Sequence, residues 1–228
     1  MTPNEKLIQE QRREIERLMK RNADLEKQKC LDDSEIVRLR RMYEVERGGI
    51  LSGLKIQDEV RAGRIMISDF DPCRLNPNSY NLRLANELLI YESGTLDMKK
   101  PNKCNTLKIP KGGLVLLPGC LYLGRTMERT ATDYYVPILD GRSSVGRLGI
   151  TIHVTAGFGD IGFTGFWTLE ITCIHPVKVY AGVDICQIGY HTIVGDYKRY
   201  SSEKYQNNSG IQPSLMFRDF AREGISCE

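Results

Sequence analysis

A chain of 228 residues can bury one full hydrophobic core with an appendage and is short for two independent domains. Its formal net charge is +3 and acidic residues stand between the basic ones, so it has no concentrated stripe to grip the phosphates of polymeric nucleic acid. Seven cysteines, never in a Cys-x-x-Cys pair, argue against a disulfide framework and against a zinc site of ordinary spacing. With no apolar signal region at the start and no run long enough to cross a bilayer, a cytoplasmic protein without a membrane partner is expected.

Residues 1–47 hold 12 Lys/Arg and 11 Asp/Glu, contain no Gly, and have no Pro after Pro3, which predicts a solvated helical extension. Thr2 and Glu5 form a capping box with Pro3 at the first helical position. Ile8, Ile15, Leu18, Leu25, Ile36, Leu39 and Tyr43 fall on the a and d positions of one heptad frame, but Gln11, Asn22, Lys29 and Asp32 share that seam. Asp32 and Glu35 mark a helix restart, giving two helical pieces with a break near 30–33. A coiled coil and a helix lying on its own domain both satisfy this pattern, and Gly48-Gly49 ends the segment in either case.

Ser52 to Ala62 reads as a short amphipathic helix carrying Leu54, Ile56 and Val60 and closed by Gly63. Short runs rich in Val, Ile, Leu, Tyr and Thr then alternate with turn residues: Tyr80 to Tyr91, Gly113 to Leu117, Cys120 to Arg125, Thr151 to Thr155, Phe166 to Ile174, Val177 to Tyr180 and Ile185 to Ile193. This predicts a mainly β core over 48–195, an antiparallel barrel or jelly roll, followed by a polar tail over 196–228 that on composition alone reads as a loosely ordered end.

Chemistry concentrates in three consecutive stretches. Leu139 to Gly149 packs Arg142, Ser143, Ser144 and Arg147 among glycines, a composition that lets backbone N–H groups and guanidinium forks approach phosphate oxygens. His153 to Gly165 is dense enough in glycine to turn tightly around a ligand. In Phe166 to Cys173, alternation puts Trp167, Leu169, Ile171 and Cys173 on one face and Thr168, Glu170 and Thr172 on the other.

Together with Asn78 to Leu84, Gly182 to Gly189, Glu203 to Asn208 and Gly210 to Ser214, these stretches resemble the dCTP deaminase branch of the dUTPase-like superfamily from about Leu54 to Phe220. The resemblance implies a homotrimer of distorted β-barrel subunits with active sites shared between neighbours. It places Glu170 as general acid/base and Ser143 and Arg147 as the supporting hydroxyl and guanidinium. It places Arg142, Ser144, Thr155, Ala156, Asp160, Thr168, Leu169, Gln187, Tyr197, Lys204 and Asn208 at nucleotide-contacting positions, with the tail as a lid over the triphosphate. Substrates would be dCTP and dUTP, and dTTP an inhibitor.

Hydrolytic deamination at C4 of cytosine needs a water to lose a proton while ring N3 gains one and ammonia leaves, and one carboxylate can shuttle all of these protons. Zinc-dependent nucleobase deaminases instead use a His-x-Glu and Pro-Cys-x-x-Cys set, which this sequence lacks. His153, His175 and His191 are read as structural, no zinc is expected, and Mg2+ would be held mainly by the triphosphate. Gly157-Phe158 stands where monofunctional members tend to carry His-Arg, and resembles the bifunctional enzymes that take dCTP to dUMP, ammonia and pyrophosphate. A second water must then reach the α-phosphate, with Asp160 or another acidic residue nearby.

Three positions depart from the usual pattern: Asn81 where Asp is common, Asn208 where Gln is common, and Ile161 where Pro often follows the Asp. Rival readings are a monofunctional dCTP deaminase releasing dUTP, a dUTPase only, a non-catalytic nucleotide-sensing module that uses the extension to engage a partner, and a trimeric structural protein with a coiled-coil stalk. The last gives no reason for Arg142, Ser143, Arg147 and Glu170 to coincide. Residues 1–47 are expected to form a parallel trimeric coiled coil or an added subunit contact.

Overall fold

The computed structural model describes residues 9, 10, 12–21, 48–92, 94–152 and 156–222, and the chain divides into two compact units, Met1–Gly49 and Ile50–Glu228. In the first, residues 9, 10 and 12–21 are helical; Ile15 is buried and Leu18 half-buried while their charged neighbours are exposed. The helix restart near Asp32 lies outside the described residues.

The second unit opens with helix α1 (Gly53–Arg61), where the Ser52 hydroxyl accepts the Lys55 N–H at 3.2 Å. Gly63 follows in the left-handed region, at φ +70°, where glycine carries no steric penalty. Then come strands β1 (Ile65–Ile67), β2 (Tyr80–Arg83), β3 (Glu87–Tyr91), β4 (Cys104–Lys108), β5 (Leu114–Leu116), β6 (Tyr122–Thr132), β7 (Val136–Gly141), β8 (Ile150–Ile152), β9 (Thr164–Cys173), β10 (Val177–Val179) and β11 (Asp184–His191). Short helices α2 (Ser143–Gly146) and α3 (Phe217–Arg222) follow β7 and end the tail.

All strand pairs are antiparallel. One sheet runs β4-β3-β6-β9-β8 with β1 also on β6, a second is β2-β11-β7, and a third is β10-β5. The inward faces of Leu82, Leu84, Leu88, Leu169, Ile171 and Ile188 meet in one core together with Ile56 of α1. The mainly β class and the antiparallel arrangement therefore follow from period-two alternation, as the sequence leads one to expect.

Several elements carry no such alternation. β4 has a single large aliphatic residue, Leu107, because it pairs only with β3 and its other edge meets no strand. The run Tyr80 to Tyr91 is two strands, separated where Leu84 N–H bonds the Val183 carbonyl and Ala85 N–H the Arg125 carbonyl. The Arg/Ser/Gly stretch after Leu139 splits between the end of β7 and the single turn of α2.

Two buried carboxylates tie the elements together. Glu128, with no exposed surface, sits where the β6–β9 register shifts, and it accepts the Arg83 N–H at 2.8 Å and the Arg83 Nε–H at 2.5 Å, binding β2 to β6 across two sheets. Glu59 of α1, 1% exposed, takes a two-pronged bond from Arg64 just before β1, with Lys55 Nζ at 3.5 Å. Burial by itself would push the Glu59 carboxyl up, but hydrogen bonds from Arg64 and Tyr135 and the two nearby cations outweigh it and hold it below the usual 4.5. Burial and the same carboxylate push the Tyr135 phenol up to about 12.

A depressed carboxyl stabilises the fold above its unfolded value and loses that contribution as pH falls through the folded one. Glu59→Gln should therefore lower stability at pH 7 by about 3 kcal/mol, the loss expected on breaking a buried pair. It should also flatten the fall in Tm that the parent protein undergoes below pH 4.5. Parallel Tm–pH curves for the two proteins would show that Glu59 is not the titrating group.

Candidate active site

β9 organises the site. Its odd-numbered residues Trp167, Leu169, Ile171 and Cys173 are buried in the core, which leaves Phe166, Thr168 and Glu170 half-buried on the opposite face. The strand is fixed in rotation by its tryptophan: Trp167 Nε1–H bonds Thr130 Oγ1 at 2.8 Å, and Trp167 N–H bonds Thr126 Oγ1 at 3.1 Å. Glu170 pairs with Leu123 of β6. Leu121, Leu123 and Tyr91 complete the wall around the carboxylate.

Over this face lies the segment following residue 155. Gly159 presses onto Trp167, where a Cβ would come within 2.3 Å of the indole ring, so only glycine lets Ala156 to Asp160 lie this close. The cavity is about 460 Å³, the size class of small-molecule sites. Glu170, Thr168, Asp160, Ala156, Phe158 and Asn208 all line it. Phe158, 79% exposed, presents its ring outward rather than packing on its own core. Gly157 acts through its carbonyl, which accepts the Leu139 N–H at 2.8 Å.

The tail is not loose. Among the described residues β8 pairs with β9 at Ile171 to Cys173, and the main chain over 162–166 has no strand on that side. Two amide side chains and the peptide N–H between them fill the gap. Gln206 accepts from Thr164 N–H and donates to Gly162 O, both at 2.8 Å. Asn207 N–H donates to Thr164 O at 2.8 Å. Asn208 accepts from Phe166 N–H at 2.7 Å and donates to Phe166 O at 2.9 Å. Composition alone missed this because an Asn/Gln run looks like a solvated loop until an open strand edge is placed beside it.

The remaining expected contacts fall elsewhere. Leu169 has no exposed surface and faces the core, so only its main chain is open to a ligand role. Tyr197 OH donates to Asp133 O at 3.0 Å, and Lys204 Nζ bonds Asp219 at 2.6 Å. Thr155 lies outside the described residues.

Arg142, Ser143, Ser144, Arg147 and Gln187 form a second group that does not line the Glu170 cavity. Arg142 Nη1 donates to Asp184 O at 2.8 Å, and Gln187 Nε2 donates to Gly141 O at 2.9 Å. Ser79 OH bonds Gln187 Oε1 at 2.6 Å, and Asn76 joins Ser79 to Asn81 in the same network. Ser143, Ser144 and Arg147 are exposed on α2. The residues expected to cooperate thus stand in two separate groups of the chain. Among the described residues, no group of three or more His, Cys, Asp or Glu is arranged to hold a metal ion.

Comparison with known proteins identifies the family. A family profile described as dCTP deaminase-like matches residues 50–193. A Cytophaga hutchinsonii protein named "dCTP deaminase, dUMP-forming" is 62% identical over 173 residues, covering 76% of this chain and 99% of that protein. One of the same name from Clostridium acetobutylicum is 62% identical over 171 residues, covering 75% and 98%. The crystal structure of 2'-deoxycytidine 5'-triphosphate deaminase from Agrobacterium tumefaciens superposes with a TM-score of 0.52 at 22% identity, covering 64% of this chain and 48% of that one, a likeness of fold.

A Cβ on Gly165 would lie 2.4 Å from Asn208 Oδ1, so Gly165→Ala must displace the Asn208 amide from Phe166. Losing those two hydrogen bonds should favour tail opening by about 2 kcal/mol, roughly 30-fold. Limited proteolysis should then cut residues 200–215 faster while the circular dichroism of the barrel is kept. Cleavage at the parent rate would mean that the amide zipper does not hold the tail.

Proposed function

The chain belongs to the dCTP deaminase-like family, and from that premise we propose that it deaminates dCTP and then hydrolyses the triphosphate, releasing dUMP, ammonia and pyrophosphate. The observation that carries this reading is Glu170, a carboxylate held by its strand on the wall of a nucleotide-sized cavity beside Gly157-Phe158. The dUMP-forming names of the relatives support the second hydrolysis.

In the first step a water adds to C4 of the cytosine. Glu170 takes the water's proton, delivers one to N3, and returns a proton to the amino group, which leaves as ammonia. The product of this half is dUTP. In the second half a water attacks the α-phosphorus, the bond to the β-phosphate bridging oxygen breaks, and pyrophosphate departs. Asp160, the other carboxylate of the cavity wall, is the side chain available to orient that water or to help hold a magnesium ion. Magnesium bound mainly by the phosphates would neutralise their charge during this displacement. Among the described residues the cavity wall carries two carboxylates, Asp160 and Glu170, which suits an ion that arrives with the nucleotide.

The half-site of α2 supplies what the cavity lacks: guanidinium forks and hydroxyls suited to phosphate and to a developing alkoxide. Exposed on its own subunit, it is open to a neighbouring copy, and the resemblance to the dCTP deaminase family supports a homotrimer with each site built by two subunits. The same cavity would accept dTTP as an inhibitor. Residues 1–47 add a contact between subunits outside the chemistry.

Incubating the protein with dCTP and magnesium should yield dUMP and pyrophosphate, and Glu170→Gln should lower ammonia release by about 10³-fold, within the range of lost general acid–base catalysis. Accumulation of dUTP would remove the second hydrolysis, and undiminished ammonia from the variant would remove the role of Glu170. Mixing separately inactive Glu170→Gln and Arg147→Ala proteins under subunit exchange should restore part of the activity. No recovery in verified mixed trimers would place both residues in a site made by one chain.

A further inference from the structure

The tail has two parts held by different chemistry. Up to Asn208 it is zipped to the main chain of β9 by paired amide and peptide groups. The next stretch, over 212–215, is held to its surroundings by three hydroxyl acceptors. Gln212 N–H donates to Thr168 Oγ1, Ser214 N–H to the Tyr91 hydroxyl and Leu215 N–H to the Tyr205 hydroxyl, each at 3.0 Å. Gln212 and Ser214 wall the same cavity as Glu170. The zipper opens only if two side-chain amides, each bonded twice, and a peptide N–H let go together, whereas each hydroxyl holds a single N–H and is released by a short displacement of the segment. Residues 212–215 are therefore the more cheaply opened part of the tail.

Tyr91 is the anchor set in the barrel wall. It ends β3 opposite Cys104, and burial pushes its phenol up from the ordinary value, so it is a neutral hydroxyl across physiological pH. The reaction proposed above demands such an anchor: dUTP, formed first, must stay until a second water cuts its triphosphate, while dCTP must still enter.

We propose that Tyr91 is a positioning residue whose hydroxyl, by accepting the Ser214 N–H, latches residues 212–215 over Glu170 and retains the deaminated nucleotide until its triphosphate is cut. The retention half of this proposal rests on the two-step reaction proposed above; the latch itself does not.

Two measurements separate these parts. Hydrogen exchange in the peptide 210–216 should accelerate about fivefold in Tyr91→Phe, the equivalent of one ordinary hydrogen bond, with residues 206–208 unchanged. Ser214→Pro, which removes the donor and leaves Tyr91 in place, should open the remaining amides of the segment equally, and the double variant should add nothing further. With dCTP as substrate, both variants should raise the ratio of released dUTP to dUMP several-fold and raise KM more than they lower kcat. Unchanged exchange in Tyr91→Phe, or additive effects in the double variant, overturns the latch. Faster exchange with an unchanged product ratio overturns the retention role. If the parent protein releases only dUTP, the two-step reaction fails and retention with it, while the exchange data still decide whether the latch exists.

Discussion

An unfilled strand edge governs this molecule. Among the described residues β8 lies beside β9 at Ile171 to Cys173, and the main chain over 162–166 has no strand next to it on that side. Backbone donors and acceptors there need partners, and bare edges invite pairing with other chains. The sequence supplies Gln206, Asn207 and Asn208, whose amide and peptide groups close the ladder. Because the edge belongs to the strand that carries Glu170, covering it also brings the tail over the cavity. Edge protection and site closure are one set of hydrogen bonds.

The rest of the barrel keeps that strand in place. β6 pairs with β1, β3 and β9, and its irregularity between Arg125 and Arg129 turns Thr126 and Glu128 inward. Thr126 then serves both its own strand and Trp167, while Glu128 reaches Arg83 in the second sheet. A register shift that would be costly on an isolated hairpin is repaid by fully satisfied buried groups, which fix the rotation of β9 and hence the direction of Glu170.

The departures from the family pattern have local physical accounts. Asn81 pairs with Asn76 in the Ser79–Gln187 network, where an amide both donates and accepts. Asn208 reaches both Phe166 groups against a glycine at 165 that leaves room for its amide. Ile161 is buried and offers its carbonyl to Tyr200 N–H at 2.6 Å, so the chain after Asp160 is held by packing and a hydrogen bond where a proline ring would otherwise restrict it.

The sequence by itself determined the β class, helix α1 with its Gly63 exit, and the two faces of β9, because each depends on a local period or on a single residue's conformational preference. It also marked Glu170, Asp160 and the Arg/Ser cluster, since ordered motifs survive in one dimension. Tertiary structure alone decided the edge strand β4, the place of Tyr91 and Leu123 beside Glu170, the ordering of the tail, and the separation of Arg142, Ser143 and Arg147 from the cavity. Those features arise between residues from 13 to 123 positions apart, where partners are chosen by which main-chain groups remain unpaired once the sheets have formed, and no local pattern in the chain encodes that remainder.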